Sequence, residues 1–549
     1  MTNRHYPLYK VNRYETFLEM LNDIARQYGE REAIVTFTPQ GERRAYSFNR
    51  LLEDSLAFSA ALSSMGLAGK HTAVAGGNSY QYLVSMFGVV LAGGVAVTLD
   101  TEQAEDVIVR MSMRAGVEAV ICDGVLLPIF APLKDSGVSH FVSLDEPGDE
   151  AQAFDELLSA GAMRVKMLAP VKPGDAEADR MSLIVFTSGT TSDQKPVMLS
   201  QKNLLSNGCG AAGMVFAGER VFTPLPLYHM YGMTCGVLGH ISQGRTVGLS
   251  YSLKFMMRDL VLFKPHMVTA VPLVAEALYM RTMMILKKMG AAEEANAYFE
   301  AYFSKKRLLM PETLKAAKKE AMGEELCRMS CGGAHLNGKV LRDMDAMGVQ
   351  ILEGYGITEC GPMVSCNRND AQRLGSVGLP LPDTEIDFDE GEIIVRGLGI
   401  SAGYYDDEKL TRDNFTGEWF HTGDLGYQDA DGYLFITGRK KNLIVFKNGK
   451  KVAPEEIEQY VSNIPLIKEA IAYGASAGAS DDDVQLALLV YPNPELTAHM
   501  ESYEIMRALE DEIAKVNQTL PAYKQIQIVK LRDVPFEKTA SQKIKRNIT

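Results

Sequence analysis

Long apolar runs are missing from this 549-residue chain. The longest, Leu83–Leu99, is interrupted by Gly88, Gly93 and Gly94, whereas a membrane-crossing helix needs about 20 consecutive apolar residues. A helix, a glycine turn and a buried strand account for it better. The opening residues, Met1-Thr-Asn-Arg-His-Tyr-Pro7, carry no apolar segment after their basic side chains, so no secretory leader is expected. Cysteine is scarce and odd in number: seven residues, thinly spread. Cys327 and Cys331 lie four apart, with no further Cys or His group nearby to complete a four-ligand zinc site. Reduced thiols in a cytoplasmic protein are expected. Repeats and low-complexity tracts are absent too, and Asp481-Asp482-Asp483 reads as a solvated turn. With 46% hydrophobic and 23% charged residues, the composition excludes disorder, collagen and coiled coil.

Basic charge is in deficit, with 56 Lys+Arg against 69 Asp+Glu and a formal net charge of −13. A uniformly acidic protein is repelled by nucleic acid and by anionic lipid. The deficit is uneven, however. From Arg439 to Thr549 there are 16 basic and 15 acidic residues, a net of +1, which leaves −14 for residues 1–438.

At roughly 100–200 residues per domain the length implies about three to five units, or fewer large ones. Phe17, Leu18, Leu21, Ile24, Ala25 and Tyr28 share one helical face, and a similar period recurs over Leu51–Met65. Short β-rich runs (Thr72–Ala75, Val95–Leu99, Ala119–Cys122) alternate with these helices, which predicts α/β layers with strands buried on both faces. From about Glu385 the texture changes to short strands and Gly/Asp turns, including Glu392–Arg396 and Tyr433–Thr437. The rear segment has a complete pattern of its own. Leu443–Phe446, Asn448-Gly449 and Lys451–Ala453 predict a hairpin. Pro454-Glu-Glu-Ile-Glu458 then opens a helix. Strands at Glu469–Tyr473 and Val484–Tyr491, a helix from Met506 to Val516 and a strand at Ile526–Leu531 follow. The sum is a small α+β domain.

Phe186-Thr-Ser-Gly-Thr-Thr-Ser-Asp-Gln-Lys195-Pro196 is a strand running into a hydroxyl- and glycine-rich loop that ends in lysine. Small residues let backbone N–H groups approach an anion, hydroxyls donate further hydrogen bonds, and the lysine adds charge. Gln194 and Pro196 exclude a Walker A loop. The segment resembles the phosphate-binding signature of the adenylate-forming superfamily, which includes acyl-CoA synthetases, nonribosomal adenylation domains and luciferases. Further signatures similar to that superfamily's follow in order: Leu225-Pro-Leu-Tyr-His-Met-Tyr-Gly232, Cys331-Gly-Gly-Ala-His335, Gly354-Tyr-Gly-Ile-Thr-Glu359, Trp419-Phe-His-Thr-Gly-Asp424, Gly438-Arg-Lys-Lys-Asn-Leu-Ile444 and Lys538-Thr-Ala-Ser-Gln-Lys543. They span about Tyr46 to Lys543.

The resemblance implies an α/β protein with three parts. Residues 1–437 would be a large N-terminal domain of layered α/β subdomains plus a β-rich subdomain, 438–442 a hinge, and 443–549 a small mobile C-terminal α+β domain. It implies two reactions: a carboxylate attacks the α-phosphorus of ATP to give acyl-AMP and pyrophosphate, then a thiol, usually of coenzyme A, displaces AMP. The meeting of two anions calls for positive charge and positioning more than for a general base.

Carried onto matching residues, the resemblance places phosphates on Thr187, Ser188, Gly189, Thr190, Thr191 and Lys195. Adenine would stack on Tyr355 beside Gly332, Gly333, Ala334 and Gly356. Glu359 would ligate Mg²⁺, Thr358 would contact phosphate, and Asp424 and Arg439 would hold ribose. Lys441 would be the hinge. Lys543 would bridge carboxylate and α-phosphate, although without the resemblance its segment reads as a basic tail. His229 and Gly232 would border the acyl site, and Gly449 the thiol channel. The junction Gly438–Val452 looks most like the long-chain fatty-acyl branch.

Departures are visible: Ser192, Gln194, Pro196 and Gln542 replace family glycine, proline, glycine and glycine respectively. They motivate one rival reading, a nucleotide-binding homologue that has lost catalysis. The other rival delivers its acyl group to a carrier protein instead of coenzyme A. No nucleic-acid partner and no transmembrane segment are expected, while peripheral membrane contact stays open.

Overall fold

The computed structural model describes residues 8–146, 148, 151–167, 178–187, 194–304, 308–334, 336–446, 450–462, 464–476, 484–538, 544 and 546. The glycine-broken apolar run resolves as a helix, a turn and a strand. Ser79 caps the helix Tyr80–Leu91 by accepting the Tyr82 N–H at 3.0 Å, and every residue of it except Gln81 is buried. Such a helix, apolar all round, belongs inside a large core. Gly93 turns the chain at φ 79°, and Val95–Thr98 enters a sheet with all four residues buried.

That sheet has seven strands in the order Gln152–Ala153, His140–Ser143, Ala119–Cys122, His71–Ala75, Val95–Thr98, Met181–Phe186 and Pro196–Ser200. All pairings are parallel except the last, which is antiparallel. Helices Phe48–Ser64 and Phe154–Met167 pack closely on each other. A Cβ at Gly161 would lie 1.9 Å from the Ala57 carbonyl oxygen. A larger residue there would force the helices apart, at about 1–3 kcal/mol or more.

A second sheet of nine strands runs Leu379–Pro380, Met363–Cys366, Gln350–Gly356, Arg328–Gly332, Met267–Ala270, Arg220–Thr223, Thr246–Leu249, Glu32–Phe37 and Arg43–Ser47. Its inner pairs are parallel, so the C-terminal ends of neighbouring strands lie side by side, where open α/β sheets gather ligands. A third, antiparallel sheet contains Thr384–Asp389, Glu392–Gly397, Phe415–Thr416, Trp419–Gln428 and Leu434–Arg439. This is the β-rich region that the Gly/Asp turns foreshadow.

The rear of the chain builds its own core from Ile457, Val461, Leu486, Leu488, Val490, Leu509 and Ile513. Ile444–Val445 pairs with Lys451–Val452 as the hairpin reading expects, and Asn448-Gly449 lies outside the described residues. The helix expected from Met506 begins earlier, at Ser502, because Glu501 and Glu504 form a reciprocal capping box. The last strand is shorter than expected, Ile528–Leu531. Asn517 takes both backbone groups of Ile526, accepting its N–H and donating to its carbonyl, each at 2.9 Å. The basic segment near the end is anchored: the Arg546 guanidinium donates to both Glu458 oxygens, at 2.9 and 2.6 Å.

None of the seven cysteines is in a disulfide. Among the described residues no helix is long and apolar enough to cross a membrane.

Candidate active site

The glycine-rich segment is flanked by two antiparallel strands, Met181–Phe186 and Pro196–Ser200. Phe186 pairs with Pro196, and the Thr187 N–H donates to the Lys195 carbonyl at 3.1 Å. Arg114 Nη1 donates to the carbonyl of Gln194 at 3.0 Å, fixing the backbone where the sequence departs from the family. Ser188, Gly189, Thr190 and Thr191 lie outside the described residues. Lys195 Nζ sits 5.2 Å over the ring of Tyr404, a cation–π placement. The Tyr404 hydroxyl donates to Glu359 Oε1 at 2.8 Å, and Glu359 is buried.

Tyr404 therefore joins the phosphate lysine to the acidic residue of the Gly354–Glu359 segment. Sequence reasoning missed it, since its only cue is an aromatic pair after Gly403. Glu359 and Thr358 occupy a 3₁₀ turn, Thr358–Cys360, just beyond the strand Gln350–Gly356. No described residue donates to Glu359 Oε2, which leaves a carboxylate oxygen for a hard cation shared with phosphate, the donor set Mg²⁺ favours.

Thr187, Lys195, Thr358, Glu359 and Tyr404 line one part of a cleft of about 730 Å³; Tyr355, Gly356, Arg439 and Lys441 line another. Asp424 stands behind that wall, 3% exposed. The Tyr355 hydroxyl donates to Asp424 Oδ2 at 2.7 Å, and Arg439 Nε lies 2.8 Å from Asp424 Oδ1. Strand register dictates the second contact, because Asp424 and Arg439 are direct partners in neighbouring antiparallel strands. Burial first, and then the Asp424 charge, push the Tyr355 phenol well above its ordinary pKa. Partial desolvation, then Arg439 and Lys195, hold the Lys441 ammonium below its usual value. Lys195, Arg439, Lys440 and Lys441 thus bring four cationic side chains to the cleft wall.

The remaining part is less polar. His229, Tyr231, Val271, Gly332, Gly333, Pro362 and Met363 border it. Ala334 is exposed beside Gly333. His229 Nδ1 accepts the Tyr231 N–H at 3.3 Å. Gly232, expected beside the acyl site, lines neither this cleft nor the smaller cavity next to it. A Cβ there would meet the Pro226 carbonyl oxygen at 2.4 Å, so its place is set by packing inside the π-helix Tyr231–Leu238. Gly449 and Lys543 lie outside the described residues, whereas Lys538 and Ile544 on either side of Lys543 form an antiparallel bridge.

At the rim, Asp389, Glu392 and His421 bring ligand atoms within 4.8 Å of one another. Lys440 Nζ already lies 2.6 Å from Glu392 Oε2, and the Gly423 N–H donates to Oε1 at 2.9 Å. The buried carboxylate is satisfied by protein donors, and the trio does not resemble an open cation site.

Parallel-sheet strand ends, a lysine-bearing hairpin, an acidic turn and a buried carboxylate–arginine pair around one cleft define a nucleotide-binding α/β enzyme. The chain belongs to the AMP-binding enzyme family: that family's model matches residues 21–405, and the model of the AMP-binding enzyme C-terminal domain matches 441–549. It is 29% identical over 435 residues to the long-chain-fatty-acid–CoA ligase FadD15 of Mycobacterium bovis, covering 75% of this chain and 72% of the relative. It is 27% identical over 566 residues to the long-chain-fatty-acid–CoA ligase of Escherichia coli O157:H7, covering 95% and 92%. The structure is similar to that of the anthranilate CoA ligase AuaEII in complex with anthranoyl-AMP, with TM-score 0.76, 19% identity and coverage of 100% and 98%.

Proposed function

We propose that this AMP-forming ligase activates a fatty acid to its acyl adenylate with ATP and then transfers the acyl group to coenzyme A. The observation that carries the reading is the shared cleft: Lys195, Glu359 and Arg439 line a polar portion, and Val271, Pro362 and Met363 an apolar one. A carboxylic acid with a hydrocarbon tail and a nucleotide triphosphate have complementary needs there. The two fatty-acid relatives support the choice of acid.

In this reading Thr187 through Lys195 grip the phosphates with Thr358, while Glu359 holds Mg²⁺, which when bound offsets phosphate charge. Tyr355 faces adenine, and Asp424 with Arg439 takes ribose. Lys543 joins the carboxylate to the α-phosphate and stabilises charge as the new bond forms. The large domain (1–437) then supplies the pocket, the small domain (443–549) supplies Lys543, and the chain turns at 438–442 about Lys441 so that Gly449 lines the thiol path. His229 borders the junction of acid and thiol.

AMP release from ATP across a panel of carboxylic acids, with coenzyme A present, tests the proposal. Acyl-CoA formed from a straight-chain acid is the expected product. Adenylation without transfer to coenzyme A, but with transfer to a phosphopantetheinyl carrier, would overturn the acceptor. No acid-dependent AMP release and no acid-dependent pyrophosphate exchange would overturn the enzyme reading.

A further inference from the structure

The large cleft shares a wall with a second, smaller cavity of about 30 Å³. Tyr231, Gly354 and Met363 border both spaces. Of the three, only Tyr231 offers a large rigid surface. Its ring is buried, and its hydroxyl donates to Ser330 Oγ at 3.1 Å across the sheet face. A Cβ on Gly332 would lie 3.9 Å from Tyr231 Cε1, ordinary contact distance, so the ring stands directly against that strand end.

Beyond the ring the lining is small or apolar at Gly208, Ala211, Cys235, Met267 and Leu352, with the buried His240 its one large polar side chain. The space has room for about two or three waters, too little for a hydrocarbon tail. The path along the sheet face therefore ends at an aromatic ring, with a packing defect behind it.

We propose that Tyr231 is the end wall of the acyl site and sets the length of acid this protein accepts. The inference rests on the acid–CoA ligase reading above. Acids whose tails stop at the ring fill the apolar portion of the cleft; longer tails meet the ring. The bond to Ser330 holds the ring in position, because swinging it away from the sheet would leave the buried Tyr231 hydroxyl without its partner. A smaller residue at position 231 would join the two cavities into one longer channel.

The test compares kcat/KM for straight-chain acids from butanoate to hexadecanoate in the full-length wild type, in Tyr231→Ala and in Tyr231→Leu. The second variant keeps apolar packing if the first fails to fold. Wild type is expected to favour the short and medium acids by at least tenfold over hexadecanoate. Either folded variant is expected to shift that ratio at least tenfold toward the longer acids. Unreactive acyl-sulfamoyl-adenosines with short and long tails, titrated onto wild type and variant, read the wall without turnover. Failure of the ligase reading is thereby distinguishable from failure of the wall. A folded variant whose affinity ratio for short and long analogues matches wild type overturns the proposal, as does a wild type that prefers hexadecanoate.

Discussion

Glu392 and Lys440 form an ion pair of 2.6 Å between the β-rich sheet and the first residue of the 3₁₀ turn Lys440–Asn442. Glu392 is only 4% exposed. Burial pushes its carboxyl upward in pKa, but Lys440, the Gly423 N–H and His421 outweigh that and hold it below the ordinary value. The pair ties that turn to the β-rich sheet at the wall of the cleft.

Removing one partner strands a buried charge, so Lys440→Ala should destabilise the protein by about 1–3 kcal/mol. The double variant Glu392→Gln with Lys440→Ala should be less damaged than the sum of the two single variants. Denaturant melts of the four proteins check this. Strict additivity would mean that the pair contributes no coupling.

Tyr404 holds Glu359 by a hydrogen bond to a charged group, an interaction of about 1.5–3 kcal/mol. Tyr404→Phe keeps the ring under Lys195 and removes only that donor. Acid-dependent pyrophosphate exchange should fall about tenfold to a hundredfold, with the melting temperature little changed. It should also require more Mg²⁺ for half-maximal rate. An unaltered Mg²⁺ requirement would detach Tyr404 from the proposed metal ligand.

The path from sequence to site is uneven for physical reasons. Strand cores such as Val95–Thr98 and the hairpin at Ile444–Val452 are legible because burial on two faces and turn chemistry are local properties. The Asp424–Arg439 pair is half legible. Both residues stand in recognisable motifs, but their contact depends on the register set by the turn at Asp429–Tyr433. Tyr404 and Glu359 are 45 residues apart, and Glu392 and Lys440 are 48 apart. Neither contact follows from any periodicity: the first joins the segment paired to Val197 with the turn after Gln350–Gly356, and the second spans the third sheet from Glu392–Gly397 to the turn after Leu434–Arg439. Gly232 shows the reverse case: a motif glycine whose role in the fold is close packing.

Glu353 provides a pH signature. Burial alone pushes its carboxyl up to about 7, whereas an unfolded glutamate ionises near 4.3. Between those values the folded protein keeps a proton that the unfolded chain releases. This group's share of stability is therefore present in full below about pH 4 and declines as pH rises through about 7. Glu353→Gln should equal wild type near pH 4 and exceed it at pH 8, by a few kcal/mol at most. Melting temperatures of both proteins at the two pH values decide it, and parallel pH profiles would contradict the assignment.

The Asp424 carboxylate is already engaged on both oxygens, by Tyr355 on one and Arg439 on the other. A ribose hydroxyl approaching it would therefore meet an acceptor whose direction is fixed in advance, at little further cost in ordering. The two partners differ in what they supply. Tyr355 gives a neutral donor and an aromatic face, so Tyr355→Phe should retain stacking and lose only the aim of the carboxylate. A three- to tenfold rise in the KM for ATP is expected, with kcat nearly kept. Arg439 gives charge. Arg439→Ala leaves Asp424 buried without its counter-ion and removes one of the four cations that line the cleft. It should raise the KM for ATP by about tenfold or more, and the loss should be larger for ATP than for adenosine, whose binding does not involve phosphate. Titration of ATP, AMP and adenosine onto both variants separates these effects. Equal losses for all three ligands in Arg439→Ala would assign that residue to ribose orientation alone.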